Sequence, residues 1–319
     1  MAKEINYSLH MTTQDAPVIR KLGVVARRGE MTPVVFKGRL YRIETNRAKG
    51  GHFGVFYDCE KQCDVSEFGK GQGLNFFSGY CEDDVLYAFG TYTARNPGED
   101  GYITMFRSED GLNWTETKLF SRPGWRLFNT SVCKGPDGYR MAVEVCSATI
   151  KGDPLYTKEI DPTIGIPFTE FFLKSDDLYN WEWLPDDHCL STERYTACPV
   201  LRYSEGYYYI ICLLALPHVR YAPYIYRTKD FFTWEVGLHN PVLMVSREDR
   251  IPKPGVQLPE HEMDRIRSYM NINNCDVDLC EFEGKTRIFY LTGDQGSFSV
   301  MCEAVYDGPM DEFFKAFFQ

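Results

Sequence analysis

Three segments of the chain share the form [Ser/Thr]-x-Asp-x-x-[Asn/Thr]-Trp: Ser108 to Trp114, Ser175 to Trp181 and Thr228 to Trp234, with starts 67 and 53 residues apart. Each follows a short aromatic or β-branched run (Tyr102 to Arg107, Phe168 to Lys174, Tyr224 to Arg227) and precedes another, which is the signature of a β-hairpin. The Asp carboxylate can accept the turn's own amides, and the Trp can pack the turn onto a sheet. The motif explains a turn, not a reaction, and its recurrence along the chain points to a repeat architecture.

A second repeat precedes these hairpins: an apolar strand, a turn with Gly, then an aromatic strand. Thr32 to Gly38 leads into Leu40 to Glu44, Ser131 to Cys133 leads through Gly138 into Tyr139 to Val145, and Pro199 to Leu201 leads through Gly206 into Tyr207 to Leu213. Asp278 to Phe282 leads through Gly284 into Thr286 to Leu291, and a weaker copy runs from Asn75 through Asp84 to Phe89. Five copies of the inner pair imply five sheets, and with the outer hairpins joined by the Asp and Trp turn they predict an all-β fold, a five-bladed β-propeller with four-stranded antiparallel blades. The whole chain, 1–319, is expected to be this single domain, with blades near 31–70, 72–121, 125–187, 190–245 and 270–308. Residues before 30 or after 296 would complete the last sheet. Ring closure would also remove the exposed edges of open sheets.

Two stretches fall outside the repeat. Pro154 to Pro167, with three prolines, reads as an inserted loop. In the insertion 241–270, the segment Pro259 to Met270 has Pro at its start, acids early and Arg265 and Arg267 later, which predicts a short helix between blades four and five. That helix would either cover the site or brace the outer wall.

A formal charge of −10 opposes nucleic-acid and anionic-membrane partners, since both need a basic surface. No apolar run approaches the roughly 20 residues of a membrane span, and the polar stretch Met1 to Arg20 has no signal-like core, so a cytoplasmic protein is expected. Eleven cysteines, many within strand-like segments, read as reduced core thiols, and Cys59 and Cys63 lack a second pair at zinc spacing. Hydrolase elbow, phosphate-loop, dinucleotide and His-Glu-x-x-His motifs are absent. Carboxylate chemistry is what remains.

The phrases Ser-x-Asp-Gly-x-Asn-Trp at 108–114, Glu205-Gly206-Tyr207-Tyr208-Tyr209, and Asp276-Val277-Asp278 followed by Phe282-Glu283-Gly284-Lys285-Thr286 resemble the five-bladed propeller glycosidases, the superfamily of glycoside hydrolase families 43, 32, 117 and 130. The resemblance covers roughly residues 30 to 308. It implies an axial funnel where carboxylates from several blades surround a sugar, with hydrolysis, or phosphorolysis in some relatives, as the reaction. Where the family 43 pattern has an Asp before the Pro of the first inner strand this chain has Thr32, and where its acid Glu stands two residues before a later Pro this chain has Ala197. The usual triad therefore does not transfer.

Glycoside cleavage needs a carboxylic acid to protonate the leaving oxygen and a carboxylate to activate water or attack the anomeric carbon. Glu44 and Glu144 both stand six residues after a turn Gly and end apolar strands, where burial would raise a carboxyl pKa; either could instead pair with an Arg, as Glu44 could with Arg42 or Arg47. Glu30, Asn129, Glu193, Arg194 and Asn273 to Asp276 mark inner-strand starts. Glu193 could replace the missing acid, and Asp276 is the expected base or orienting carboxylate, unless it is a turn Asp. Trp125, Arg126, Asn129, Arg194, His218, Asn274, Asp294 and His52 are candidate sugar contacts, each with ordinary packing or capping as the alternative. No organic cofactor is expected, and the site leaves room for a metal ion such as calcium. The expected function is a carbohydrate-acting glycoside hydrolase; the alternatives are a phosphorylase, for which Arg126, Arg194 and His218 would bind phosphate, or a non-catalytic sugar- or protein-binding propeller.

Overall fold

The computed structural model describes residues 16–26, 29–47, 51–94, 99–123, 125–146, 168–191, 194–216, 220–294 and 298–319. The inserted loop expected at Pro154 to Pro167 lies outside them. After an N-terminal strand β1 (Ile19–Ala26), four strands form the first antiparallel sheet: β2 (Met31–Phe36), β3 (Arg39–Asn46), β4 (Phe53–Asp58) and β5 (Cys63–Phe68). The second contains β6 (Asn75–Glu82), β7 (Val85–Tyr92), β8 (Gly101–Ser108) and β9 (Thr115–Arg122). The third contains β10 (Arg126–Gly135), β11 (Gly138–Cys146), β12 (Phe168–Ser175) and β13 (Glu182–Trp183).

The fourth run of strands is β14 (Thr196–Ser204), β15 (Tyr207–Leu216), β16 (Arg220–Thr228) and β17 (Glu235–Val236), and the fifth is β18 (Asn273–Phe282), β19 (Lys285–Gly293) and β20 (Ser299–Tyr306). These two runs, the fourth and fifth sheets, are linked edge to edge by a parallel pairing at Tyr221 and Asn273. β1 lies antiparallel on β20, so the residues before 30 supply the outermost strand of the fifth run. The first strands of the five runs pack in cyclic order: β2 on β6, β6 on β10, β10 on β14, β14 on β18, and β18 back on β2.

Hydrophobic burial follows the same division. One apolar layer joins Val34, Ile43, Phe56 and Phe68 of the first sheet to Phe77, Leu86, Ala88 and Phe106 of the second. Comparable layers fill the next interfaces. Approach is close: a Cβ added at Gly79 would sit 2.7 Å from Ile43 Cγ1, so this position requires Gly.

The Asp and Trp turns work as their side chains allow. In the first, Asp110 Oδ1 accepts the Leu112 and Asn113 amides at 2.8 Å each, and Ser108 Oγ accepts that of Gly111 at 2.9 Å. Asp177 and Asp230 repeat the pattern. These bonds hold all three carboxyls below their usual range. The Trp rings reach across to the preceding sheet: Trp114 lies 4.3 Å from Phe68 and donates to Ser66 Oγ at 2.9 Å, and Trp234 stacks on Phe172 at 5.4 Å.

Between the fourth and fifth runs, the helix expected in the insertion is α1 (Glu260–Ser268), starting after Pro259. It buries Met263 and Ile266. Asp249, fully buried, ties this insertion to the sheets: it accepts from Lys21 Nζ at 2.8 Å and from Tyr290 Oη at 2.7 Å. A last helix, α2 (Met310–Ala316), packs Phe313 and Phe314 into the same core. Among the described residues no helix is long and apolar enough to cross a membrane.

Candidate active site

In four of the five first strands the pairing slips. β6 shifts register between Asn75 and Ser78, β10 between Leu127 and Thr130, β14 between Ala197 and Val200, and β18 between Cys275 and Asp278. Register resumes in each at the residue opposite the fifth position after the turn: Ser78 faces Phe89, Thr130 faces Val143, Val200 faces Ile211 and Asp278 faces Phe289. Thr32 facing Ile43 is the matching pair in β2.

Two residues before these positions stand Glu30, Phe76, Phe128, Cys198 and Asp276, and all five line one cavity of about 810 Å³. A β-bulge redirects a side chain from the sheet face, which is why bulges recur at functional rims. Phe76, Cys198 and Asp276 hold left-handed backbone (φ 54°, 53° and 46°) that side-chain-bearing residues adopt at a cost.

Glu144 enters this cavity from β11, opposite the β10 bulge. Its Oε2 accepts from Asn129 Nδ2 at 2.8 Å and from the Cys198 backbone N–H at 2.8 Å. Only 4% of the residue is exposed, and burial pushes its carboxyl up to about 7; the two bonds oppose the shift, while the charges of Asp276 and Glu30 add to it. Glu30 is likewise raised to about 7, by burial and then by Asp276, against the pull of Arg47, whose guanidinium donates to its Oε1.

Behind Glu144, its cross-strand partner on β12 is Glu170, fully buried, with Oε2 accepting from Thr196 Oγ1 at 2.5 Å. Burial, with the Glu144 charge adding, pushes Glu170 up to about 8, against the Thr196 bond. The remaining wall includes Asn46, Arg47, Phe168, Tyr195 and Asn273, and Glu262 of α1 reaches the rim. The insertion helix thus both braces the core and borders the cavity. Among the described residues no three His, Cys, Asp or Glu side chains gather closely enough to hold a metal ion.

Of the candidates read from sequence, Glu144, Asp276 and Asn129 meet here. Glu193 and His218 lie outside the described residues. Glu44 occupies the position equivalent to Glu144 but faces Met31 in unbroken register, and its Oε1 accepts from Arg42 Nε at 2.7 Å. Arg42 is itself held between the Tyr57 and Phe289 rings at 4.4 and 5.0 Å. The pair is buried structure, apart from the cavity wall.

The other predicted contacts also stand elsewhere. Trp125 is buried against Phe171 and the Arg122 guanidinium. Arg126 Nε donates to the Ala94 carbonyl at 3.1 Å. Asn274 bonds with Lys21 and Asp249, and Asp294 caps a turn by accepting the Phe298 amide at 2.9 Å. Arg194 is exposed, and neither it nor His52 lines the cavity. Glu30 had a signal, its place at an inner-strand start; Arg47 was read only as a possible partner of Glu44 and pairs with Glu30 instead; Phe76, Phe128, Cys198 and Glu170 had none, because bulges and cross-strand pairs are invisible in a single sequence.

Neither a family model nor a curated protein matches the sequence. Solved structures do match. One described as a glycoside hydrolase superposes with a TM-score of 0.61 at 10% identity, covering 96% of this chain and 97% of that one. The α-L-arabinofuranosidase of Lactobacillus brevis gives 0.56 at 9% identity, covering 88% and 91%. The xylan β-1,4-xylosidase of Bacillus halodurans C-125 gives 0.54 at 13%, covering 90% of this chain and 54% of that one. Such neighbours are family 43 glycoside hydrolases, which are five-bladed β-propellers. This chain shares their fold. The family 43 resemblance read from the turn motifs is thereby matched in three dimensions, at an identity that carries fold alone.

Proposed function

We propose that the protein is a glycoside hydrolase whose five sheets are the blades of a β-propeller and whose reaction runs in the cavity at the propeller axis. The observation that carries this reading is the convergence of Glu30, Glu144 and Asp276, from the first, third and fifth sheets, on one cavity large enough for a sugar. Carbohydrate is the partner this site suits.

Glu144 is assigned as the general acid. Burial keeps it protonated near neutral pH, and two donors on Oε2 leave Oε1 for the proton. Its proton passes to the glycosidic oxygen as the C–O bond breaks. Asp276, held by its bulge, is assigned as the carboxylate that takes the proton of the incoming water or attacks the anomeric carbon. Glu30, engaged by Arg47, is the third carboxyl, placed to hydrogen-bond the sugar and to tune the other two.

Hydrolysis is preferred over phosphorolysis on a specific ground. Among the described residues, Arg47 is the cationic side chain lining the cavity, and its guanidinium is engaged by Glu30. Phosphate would have to compete with that carboxylate.

The test is turnover of 4-nitrophenyl β-D-xyloside, α-L-arabinofuranoside and related glycosides by the wild type, Glu144→Gln and Asp276→Asn. Phosphate-independent release, lost in both variants, is expected. Sugar binding without turnover across the panel would instead favour a non-catalytic propeller.

A further inference from the structure

The cavity is divided by chemistry in a way that follows sheet order. Sheets two, three and four supply all four rings Phe76, Phe128, Phe168 and Tyr195 to its wall, with Asn129 and Glu144 beside them, whereas sheets five and one supply Asp276, Asn273, Glu30, Asn46 and Arg47. Because the sheets pack in cyclic order, these are opposite arcs of one ring. Phe298, just before β20, also lines the cavity on this second arc and packs on Tyr269 at 4.8 Å.

The four rings touch in sequence around their arc. Phe76 to Phe128 is 5.5 Å at 59°, Phe128 to Phe168 is 4.8 Å at 82°, and Phe168 to Tyr195 is 5.6 Å at 72°. All four are partly exposed. A sugar docks on a flat aromatic face through its C–H bonds, but steeply inclined neighbours present alternating edges and faces. That surface complements another aromatic ring, whose own edge and face find opposite partners in the ring quadrupoles.

Glu144 supplies the direction. In the proposed hydrolase the acid stands on the leaving-group side, and Glu144 lies in the third sheet, opposite the bulge that carries Phe128. We infer that the substrate is an aryl glycoside, with its phenolic leaving group seated against Phe76, Phe128, Phe168 and Tyr195 and its sugar on the carboxylate arc. This rests on the hydrolase reading. The bond broken joins the anomeric carbon to the phenolic oxygen; that oxygen takes the Glu144 proton and departs as a phenol, and the hydroxyl of water ends on the anomeric carbon after giving its proton to Asp276.

Binding separates this inference from turnover. The probes are phenyl, cyclohexyl and methyl 1-thioglycosides of xylopyranose, arabinofuranose, glucopyranose and galactopyranose, both anomers, titrated calorimetrically. For any sugar that binds, the phenyl compound is expected to bind about tenfold tighter than the methyl and severalfold tighter than the cyclohexyl compound. The phenyl-to-methyl ratio is expected to fall to threefold or less in Phe128→Leu and in Phe168→Leu, which keep most of the side-chain volume. Equal affinities, a ratio unchanged in both variants, or no saturation by any phenyl probe at millimolar concentration would overturn the inference. A phenyl preference without cleavage of the matching phenyl O-glycosides would keep aryl recognition and reject hydrolysis.

Discussion

Glu144 Oε2 accepts the backbone N–H of Cys198 at 2.8 Å, so the carboxyl of the third sheet is seated by the bulge of the fourth. The amide is free for this bond because the slip between Ala197 and Val200 takes Cys198 out of the strand ladder. One local irregularity thereby fixes the position of an acid 54 residues away in sequence.

Glu144→Gln is expected to lower kcat by about 10²- to 10⁴-fold, the usual worth of a general acid, with the far-ultraviolet circular dichroism unchanged. Steady-state kinetics on an activated and an unactivated glycoside provide a further check. The activated one should suffer less, since its leaving group needs less protonation.

The Asn129 bond favours the ionised form of Glu144, so removing it raises the carboxyl's pKa further above about 7. Asn129→Ala should therefore move the alkaline limb of the kcat/KM profile to higher pH. A limb that moved down or stayed in place would show that Glu144 does not set it.

Asp276 holds φ 46°, a conformation that Gly adopts without strain. Asp276→Gly is expected to leave stability unchanged or raise it by about 0.5–1 kcal/mol while abolishing turnover. Thermal unfolding beside kinetics reads both effects.

Glu30, Glu144 and Glu170 bind protons more tightly folded (about 7, 7 and 8) than at their ordinary 4.5. Between about pH 4.5 and 8 the native state holds more protons than the unfolded chain, so stability falls as pH rises through that window. The midpoint of thermal unfolding should drop from pH 5.5 to 8.5, and Glu170→Gln should flatten that slope. A slope of opposite sign would refute the buried-acid account.

Glu44 is predicted to differ from Glu144 despite their equivalent places. Glu44→Ala leaves Arg42 buried without its partner, a loss of about 3–5 kcal/mol. The protein that remains folded should keep near wild-type KM. Denaturant titration at a permissive temperature, followed by kinetics on the folded fraction, distinguishes the two glutamates.

What the sequence determined by itself was the repeat. Asp110, Asp177 and Asp230 bond amides two and three residues ahead, so their turns are local chemistry and readable without a fold. The same holds for the Gly turns and for Pro259 before α1. Counting residues from the turns also aligned Glu44 with Glu144. Only the tertiary structure decided which of them reaches the cavity, because that depends on whether the strand opposite is bulged, as at Phe128 and Asn129, or in register, as at Met31. It alone also set the aromatic arc, since Phe76, Phe128, Phe168 and Tyr195 come from three sheets and meet through packing across distances that no local pattern encodes.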